Sequence, residues 1–346
     1  MIILEPSDPS WPKQFAAEKI RLEQVLNCPC QIEHIGSTAI PDIAAKPVID
    51  ILIGIPNLSQ HKARLISKVE SLGYQYNPAF EAEFPHRCYF FKNNEAGQRT
   101  HQIHMVNHPS AWWAKHILFR DYLRAHSEKA KAYEAHKLEL AKQHDNTLSY
   151  AIAKTDFCRV MDQEAYFDFK VHQPDVETER LYGYIPQLGC FEIYRQMFQD
   201  PDFVKCFGVK LSDEYIQKIL MRDTAYWDQY GFGPFVWFEK ENHRFVGEGG
   251  LNHTTVEGKP VIELTYSLAK DSWGKGYAPE IGRYAIQHAF KSLGLESLFC
   301  FTMTTNRQSL RVMQKLGFEY EKDFVHANLP HCLYRLKRLN PSISQK

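Results

Sequence analysis

Val261-Ile-Glu-Leu-Thr-Tyr-Ser-Leu-Ala269, followed after one lysine by Asp271-Ser-Trp-Gly-Lys-Gly-Tyr-Ala278, is the stretch that decides the fold of the C-terminal half. The first segment is rich in β-branched and aliphatic residues and reads as a strand; a helical pattern opens near Pro279-Glu280. A glycine-containing turn between a strand and a helix N-terminus is an anion site. Gly274 and Gly276 let the backbone approach closely, and their N–H groups point at the anion with the helix dipole behind them. A pyrophosphate suits such a turn. Neither Gly-x-x-x-x-Gly-Lys-Ser/Thr nor Gly-x-Gly-x-x-Gly occurs here, which excludes the two commonest phosphate loops. Taken alone, Gly274-x-Gly276 reads as a tight turn with a glycine helix cap rather than an anion site, and the surrounding sequence reverses that reading.

Outward from this turn, strand patterns fall at Arg180–Ile185, Phe235–Glu239, Phe245–Leu251, Leu298–Thr304, Tyr320–Val325 and Cys332–Lys337. Helical patterns fill the gaps at Cys190–Phe198, Asp213–Gln229, Ala278–Leu293 and Ser309–Leu316. Consecutive strands followed by β-α-β-α-β-β describe an α/β (α+β) domain with a mixed, largely antiparallel sheet.

The order and spacing of these segments resemble the GNAT superfamily of N-acetyltransferases, in its RimJ/RimL-like branch. Thr178-Glu-Arg-Leu181 is similar to the opening strand of that branch, and Asp200-Pro-Asp202 falls in its first helical region. Val246-Gly-Glu-Gly-Gly-Leu251 matches its third strand, and Glu263-Leu-Thr-Tyr266 precedes the Trp273-to-Ala278 turn at the expected distance. Asn306-Arg-Gln-Ser309 and Val312-Met-Gln-Lys-Leu-Gly-Phe318 resemble the closing motif. The resemblance implies a splayed central sheet, acetyl-CoA as cofactor and transfer of its acetyl group to a primary amine, on a protein N-terminus or a small molecule. It implies cofactor contacts from Trp273, Gly274, Lys275, Gly276, Tyr277 and Ala278. The pantetheine arm is expected between the strands at 261–269 and 298–304, with backbone N–H groups near Tyr266 to Leu268 facing the thioester.

Acetyl transfer needs a neutral amine, a stabilised oxyanion and a protonated leaving thiolate. Glu263 is the first candidate base and Glu248 the second, because a carboxylate on a core strand is unusual unless paired or functional; a salt bridge or an exposed strand face is the plain alternative. His253 ranks third. Asn306 is expected to orient the cofactor, or to cap the helix that follows with Ser309 as its N3 residue. Ser309 is the candidate donor to the thiolate. Many family members place a tyrosine seven residues after this Asn; Met313 stands there instead, and Tyr334 on the last strand is the substitute.

In the N-terminal half, His34-Ile-Gly-Ser-Thr-Ala-Ile-Pro-Asp-Ile-Ala-Ala-Lys-Pro-Val-Ile-Asp-Ile-Leu-Ile53 resembles the GrpB family. Arg99-Thr-His-Gln-Ile-His104 and Leu118-Phe-Arg-Asp-Tyr-Leu-Arg124 extend the resemblance, which implies a nucleotidyltransferase-like α/β fold. Such an enzyme holds phosphate on a Gly-Ser loop and two Mg²⁺ ions on strand carboxylates. Gly36, Ser37 and Asp50 fit that pattern, and Lys46 and Arg87 could meet phosphate oxygens. The next position on the same strand face is Leu52, and His101 or His104 stands where a third carboxylate is expected. One carboxylate cannot hold two Mg²⁺ ions. The domain therefore reads as a nucleotide- or phosphate-binding module of reduced or altered chemistry. Asp50 and His104, with His34 as a further candidate, could form a single divalent-metal site. Elsewhere here, helices are expected at Pro12–Leu26, Ser59–Leu72, Ala111–Gln143 and Ser149–Gln163, and strands at Cys30–Ile35, Lys46–Ile55, Arg87–Phe91 and His101–Val106.

A chain of 346 residues accommodates two such domains. The expected division is 1–168 for the GrpB-like domain, a polar, Pro174-containing linker at 169–177, and 178–340 for the acetyltransferase. With 41 basic and 41 acidic residues there is no net field to mark a nucleic-acid or membrane partner. The eight cysteines are scattered without a zinc spacing, no leader pattern opens the chain, and no apolar run reaches membrane-span length. These features describe a cytoplasmic protein with reduced thiols. The leading reading is an acetyl-CoA-dependent N-acetyltransferase whose partners are an amine acceptor and a nucleotide or phosphometabolite. The rivals are a ligand-sensing regulatory protein and an active nucleotidyltransferase.

Overall fold

The computed structural model describes residues 2–81, 86–168, 173–207 and 210–338. They fall into two compact units, Met1–Gln173 with Trp227–Gly231 and Pro174–Tyr226 with Phe232–Lys346.

The first unit runs α1 (Trp11–Leu26), β1 (Gln31–Ile35), β2 (Ile49–Ile55), α2 (Leu58–Glu70), β3 (Gln75–Tyr76), β4 (Arg87–Asn93), β5 (Arg99–Asn107), α3 (Ala111–Ala125), α4 (Ser127–Gln143), α5 (Thr147–Ala153) and α6 (Thr155–Asp168). Its five-stranded sheet has the order β1-β2-β5-β4-β3, with β2 and β5 parallel and the other pairs antiparallel. Strand alternation gives the two faces different work. Ile49, Ile51, Ile53, Ile103, Met105 and Phe90 pack on one face with Leu22, Leu26, Leu65 and Val69 of the first two helices. The register turns Ile35, Asp50, Leu52, Gln102, His104 and Tyr89 to the other face.

Two expected helices are each two. The Ala111–Gln143 pattern breaks at His126, whose backbone leaves the helical region (φ −124°, ψ 86°). Residues 149–163 divide between α5 and α6, the first capped by Asn146, which accepts from Ser149 N at 2.9 Å. Composition favours helix across both breaks, so a periodicity reading runs through them.

The second unit runs β6 (Val176–Glu177), β7 (Leu181–Tyr184), α7 (Phe191–Phe198), α8 (Pro201–Phe207), α9 (Asp213–Tyr230), β8 (Pro234–Glu239), β9 (Phe245–Val256), β10 (Lys259–Leu268), α10 (Tyr277–Gln287), β11 (Ser297–Met303), α11 (Arg307–Lys315), β12 (Glu319–His326) and β13 (Leu329–Lys337). The eight-stranded sheet has the order β12-β13-β11-β10-β9-β8-β7-β6 and is antiparallel except for β10 beside β11. Leu251, Leu264, Leu298, Cys300 and Met313 form a core with Ala285 and Ala289 from the helical segment after Gly276. Of the residues expected as linker, Phe169–His172 lie outside the described residues, whereas Val176-Glu177 form a strand paired with Tyr182-Gly183.

No helix among the described residues is long and apolar enough to cross a membrane. The cysteines at 28, 30, 88, 158, 190, 300 and 332 are free thiols.

Candidate functional site

The turn after β10 has the backbone an anion loop needs. Gly274 and Gly276 both take positive φ (73° and 81°), and Gly276 is the N-cap of α10. Space above the turn is open: a methyl group added at Gly274 would meet nothing within 4 Å. The side chains of Tyr277 and Ala278 are buried, so these residues can offer an anion only their backbone. Lys275 is exposed, its Nζ 3.8 Å from Glu239 Oε1, and the Trp273 indole N–H donates to the Leu268 carbonyl at 2.8 Å.

The Thr178-Glu-Arg-Leu181 segment holds this loop in place. Glu280, in the first turn of α10 and 7% exposed, accepts from Thr178 Oγ1 at 2.5 Å, from the Arg180 amide at 2.8 Å and from Arg180 Nε at 2.7 Å. Arg180 Nη1 also donates to the Lys275 carbonyl at 2.9 Å, and its guanidinium lies 4.6 Å from the centre of the Tyr277 ring. Tyr277 in turn donates to buried Glu239, 2.9 Å away, which Arg244 also binds.

Strands β10 and β11 meet at one pair, Glu263 and Phe299, and part beyond it. On its other edge β10 pairs with β9 from Lys259 to Leu268. Ala269 N donates to Val246 O at the end of that ladder, so strand alternation directs the N–H groups of Tyr266 and Leu268 into the gap on the β11 side.

The two faces of β10 then differ. On the α10 and α11 face, the Tyr266 hydroxyl lies 2.7 Å from Ser309 Oγ and donates to the Ser309 carbonyl at 3.3 Å. Burial holds the Tyr266 phenol well above its ordinary range. Asn306 accepts from Ser309 N at 3.1 Å and caps α11, so the capping geometry is present whatever else Asn306 does. Tyr334 is 7% exposed and packs edge-on to Tyr320, 5.7 Å between ring centres, in the apolar core that includes Met313.

On the opposite face sit the carboxylates. Glu263 is 9% exposed; Asn252 Nδ2, directly across the ladder, donates to it at 3.4 Å. Burial pushes its carboxyl up to about 7. Glu248 lies across from Ser267, and burial followed by the charge of Asp223 raises its carboxyl. Asp223, fully buried on α9, accepts from Arg222 at 2.8 Å and from the Tyr194 hydroxyl at 3.3 Å. Glu263 and Glu248 thus belong to one buried acidic cluster with Asp223, a member the sequence reading missed. Its signal was Arg222-Asp223 inside the amphipathic 213–229 pattern, which resembles any exposed charge pair. The ring of His253 stacks on Phe232 at 5.2 Å.

In the first unit, Gly36 (φ 71°) lies against Asp50 so closely that an added methyl group would sit 2.2 Å from Asp50 Oδ2. Burial raises the Asp50 carboxyl to about 7 although Lys154 and Lys46 oppose the shift. Ser37 opens a single turn of 3-10 helix beside it. Leu52, fully buried, does occupy the next position on the Asp50 face. The residue opposite Asp50 on β5 is Gln102, with His104 one step further along and His101 turned to the other face. Gln102 accepts from the Tyr89 hydroxyl at 3.0 Å, and Arg99 donates to that hydroxyl at 2.9 Å. His104 is packed between the Tyr89 and Trp112 rings, and burial keeps it neutral. Arg87 lies over the same aromatic residues, 5.8 Å and 5.6 Å from their ring centres.

The three-residue metal set does not form. His34 pairs with Ile51 and so projects from the face opposite Asp50, where it stacks on Phe15 and lies 3.0 Å from Thr38 Oγ1. Among the described residues no group of three His, Cys, Asp or Glu side chains is placed to hold an ion. Sequence spacing alone does not tell which face of a sheet a neighbouring strand presents.

The first unit places Gly36, Ser37 and Asp50 together on one face of its sheet end, and the second opens a gap between β10 and β11 beside a glycine turn. Family models agree: residues 1–164 match the GrpB protein family and residues 191–319 an acetyltransferase (GNAT) domain. The glutamate-rich protein GrpB of Alkalihalophilus pseudofirmus is 34% identical over 45% of this chain and 91% of its own length. An uncharacterised N-acetyltransferase, p20, of Bacillus licheniformis is 30% identical over 42% of this chain and 82% of its own. A UPF0157 protein of Pseudomonas aeruginosa is 39% identical over 40% of this chain and 57% of its own length. The chain thus spans about half the length of the first curated relatives it matches. It belongs to the GrpB family in its N-terminal part and to the GNAT acetyltransferases in its C-terminal part.

Proposed function

We propose that the C-terminal unit transfers the acetyl group of acetyl-CoA to a primary amine, on a protein N-terminus or a small molecule. One observation carries this reading. β10 and β11 part beyond Glu263, leaving an open backbone edge with a buried carboxyl on one face, a Tyr–Ser hydroxyl pair on the other and a glycine anion loop at its end.

The cofactor supplies an activated acetyl thioester; the protein supplies placement and proton transfer. The N–H groups along Trp273 to Ala278 and the start of α10 hold the pyrophosphate. The N–H groups of Tyr266 and Leu268 donate to the thioester oxygen as negative charge develops on it. Glu263, whose carboxyl titrates near 7, takes the proton that the amine must lose. Glu248 is the second choice, since burial, followed by the charge of Asp223, keeps it protonated to higher pH. Ser309, whose hydroxyl lies 2.7 Å from that of Tyr266, would donate to the leaving sulfur in preference to Tyr334, which is 7% exposed and packs edge-on to Tyr320. Asn306 fixes Ser309 through the cap and orients the cofactor beside it.

The test is thiol release from acetyl-CoA by the full chain against a panel of amines: N-terminal peptides, polyamines, aminoglycosides and amino-nucleotides. Stimulated release by at least one class supports the reading. Release no faster than hydrolysis with every class, in protein that binds acetyl-CoA, defeats it in favour of a ligand-sensing role.

For the N-terminal unit the supported reading is binding of a nucleotide or other phosphorylated molecule through Gly36, Ser37, Lys46 and Asp50, without nucleotidyl transfer. The buried leucine at 52 and Gln102 opposite Asp50 favour it, because neither can share a pair of Mg²⁺ ions with Asp50. Asp50 and His104 remain the side chains that would face a single ion on this surface. Free thiols throughout the described residues fit a cytoplasmic setting.

A further inference from the structure

On the carboxylate face of β9 and β10, Asn252 stands directly across the ladder from Glu263 and is 6% exposed. A side-chain amide on a core strand costs free energy unless both of its ends find partners. Only one end does. Nδ2 donates to Glu263 Oε1 at 3.4 Å, whereas Oδ1 is shut off from water and has no hydrogen-bond partner among the described residues. Cross-strand packing accounts for a side chain of this size at this place, but not for an acceptor left over beside a carboxyl.

The leftover acceptor fits a carboxyl that changes its charge. An ionised Glu263 only accepts, and the Nδ2 donor suits it; a protonated Glu263 carries an O–H, which Oδ1 suits. A half-turn about the Cβ–Cγ bond of Asn252 exchanges the two ends in place. The other groups around Glu263 act by charge alone. Burial raises the Glu263 carboxyl, and the Asn252 hydrogen bond, then the charge of Arg222 on α9, oppose the rise. Arg222 is itself bound to Asp223, which Tyr194 of α7 also reaches. Glu248 on β9 is raised by burial, then by Asp223, with a smaller effect from Glu263. Cys300 on β11 is held as a neutral thiol by burial, then by the charge of Glu263. Asn252 is the only side chain among the described residues that hydrogen-bonds the Glu263 carboxyl.

We propose that Asn252 is a positioning residue of the acetyl transfer: its N–H holds the Glu263 carboxylate ready for the amine's proton, and its carbonyl oxygen then accepts from the acid so formed. The proposal rests on Glu263 as the base. In that step an N–H bond of the acceptor ammonium breaks, its electron pair stays on nitrogen for attack on the thioester, and an O–H bond forms on Glu263. The amide turns, and the new O–H donates to Oδ1 until the proton leaves for solvent. One side chain thereby pairs with both charge states of a buried carboxyl, where a fixed donor would oppose protonation and a fixed acceptor would oppose ionisation.

The test follows the Glu263 carboxyl both directly and through turnover, in the 346-residue chain. In pH-difference infrared spectra the protonated Glu263 carboxyl is the C=O stretch that disappears in Glu263→Gln. Asn252→Leu keeps the size of the side chain and removes both ends of the amide. The bond to the carboxylate is charge-assisted and the stronger of the two, so the band should titrate higher by about one pH unit, a tenfold change in proton affinity. It should also lie at higher frequency, as for an acid whose O–H has lost its acceptor. The rising limb of kcat/KM should move with the band while acetyl-CoA affinity, by calorimetry, stays the same. Asn252→Thr, whose hydroxyl both donates and accepts, should restore most of each shift, and it supplies the same comparison where the leucine variant does not fold. Band and limb unmoved in folded variants, with only Tm changed, would overturn the proposal. A band that moves while the limb stays would keep the pairing of Asn252 with Glu263 and overturn Glu263 as the base.

Discussion

Glu263 carries the sharpest chemical expectation because burial, the dominant influence on it, moves its carboxyl to about 7. A base must be ionised to accept a proton, so kcat/KM should rise with pH through a limb near 7. Glu263→Gln should lower kcat about 100-fold or more, leave acetyl-CoA affinity unchanged and remove that limb. A near-normal Glu263→Gln beside an inactive Glu248→Gln would transfer the role to β9. The same substitution should act oppositely on stability. A carboxyl whose pKa is raised by folding stabilises the protein below the unfolded pKa, and that contribution is lost as pH rises through the folded one. Above pH 7 the fold holds a buried charge, so Glu263→Gln should raise Tm at pH 8 and have little effect at pH 5. Ser309→Ala separates two roles at one residue. Its amide, not its hydroxyl, is what Asn306 caps, so the alanine variant should keep its Tm and lose turnover; a fall in Tm alone would leave only a packing role.

Around the anion loop the elements act together. Gly276 ends one conformation and starts α10, and Asp at this position would put a strained side chain and a negative charge against the pyrophosphate. Acetyl-CoA affinity should fall at least tenfold, about 1.4 kcal/mol, by calorimetry; unchanged affinity in folded Gly276→Asp would move the cofactor elsewhere. The strap from the start of β7 to α10 should matter without touching the cofactor. Arg180→Ala leaves Glu280 with fewer partners in a buried first turn and frees the Lys275 carbonyl. We expect a loss of about 1–2 kcal/mol in stability and a weaker hold on acetyl-CoA that Arg180→Lys only partly restores, since a lysine cannot reproduce the forked contact. Equal acetyl-CoA affinity in Arg180→Ala would show that the loop holds its shape without the strap. The existence of these elements was legible in the sequence, because the glycines, the β-branched run and the helical periods are local signals. The breaks at His126 and Lys154 were not, because nothing in composition opposes helix there.

For the chain as a unit of function, the two halves make separable predictions. Leu52 on the same strand and Gln102 opposite put no carboxylate at the two positions next to Asp50, and Glu33, which shares its face from β1, is held by Arg120. The 346-residue chain given labelled NTPs, Mg²⁺ and a lysate of acceptors should therefore transfer no label; robust transfer that disappears in Asp50→Ala would show an unrecognised carboxylate. Asp50→Ala should leave acetyl transfer intact while weakening phosphate binding. The raised Asp50 carboxyl also predicts a stability that declines as pH rises from its unfolded pKa to about 7. Asp50→Asn should flatten that decline in a pH series of Tm values, and an unchanged slope would mean the carboxyl is ordinary.

The order of strands and helices, the anion turn and the paired resemblances were fixed by local pattern, since turn chemistry and side-chain periodicity act over a few residues. Glu263, Ser309, Gly36 and Asp50 could be named for the same reason: each lies inside a short motif. What a neighbouring strand or helix presents was settled only by packing. His34 was lost from the Asp50 face because strand alternation turned it away. Gln102, not a histidine, came to lie opposite Asp50 because the parallel register of β2 and β5 put it there. Asp223 reached Glu248 from α9, Arg180 reached Glu280 across about a hundred residues, and Lys154 came to lie near Asp50 from the junction of α5 and α6, far along the chain. Burial, which sets the charge state of each of these carboxyls and ammonium groups, is a property of the packed chain and has no signature in any single segment of it.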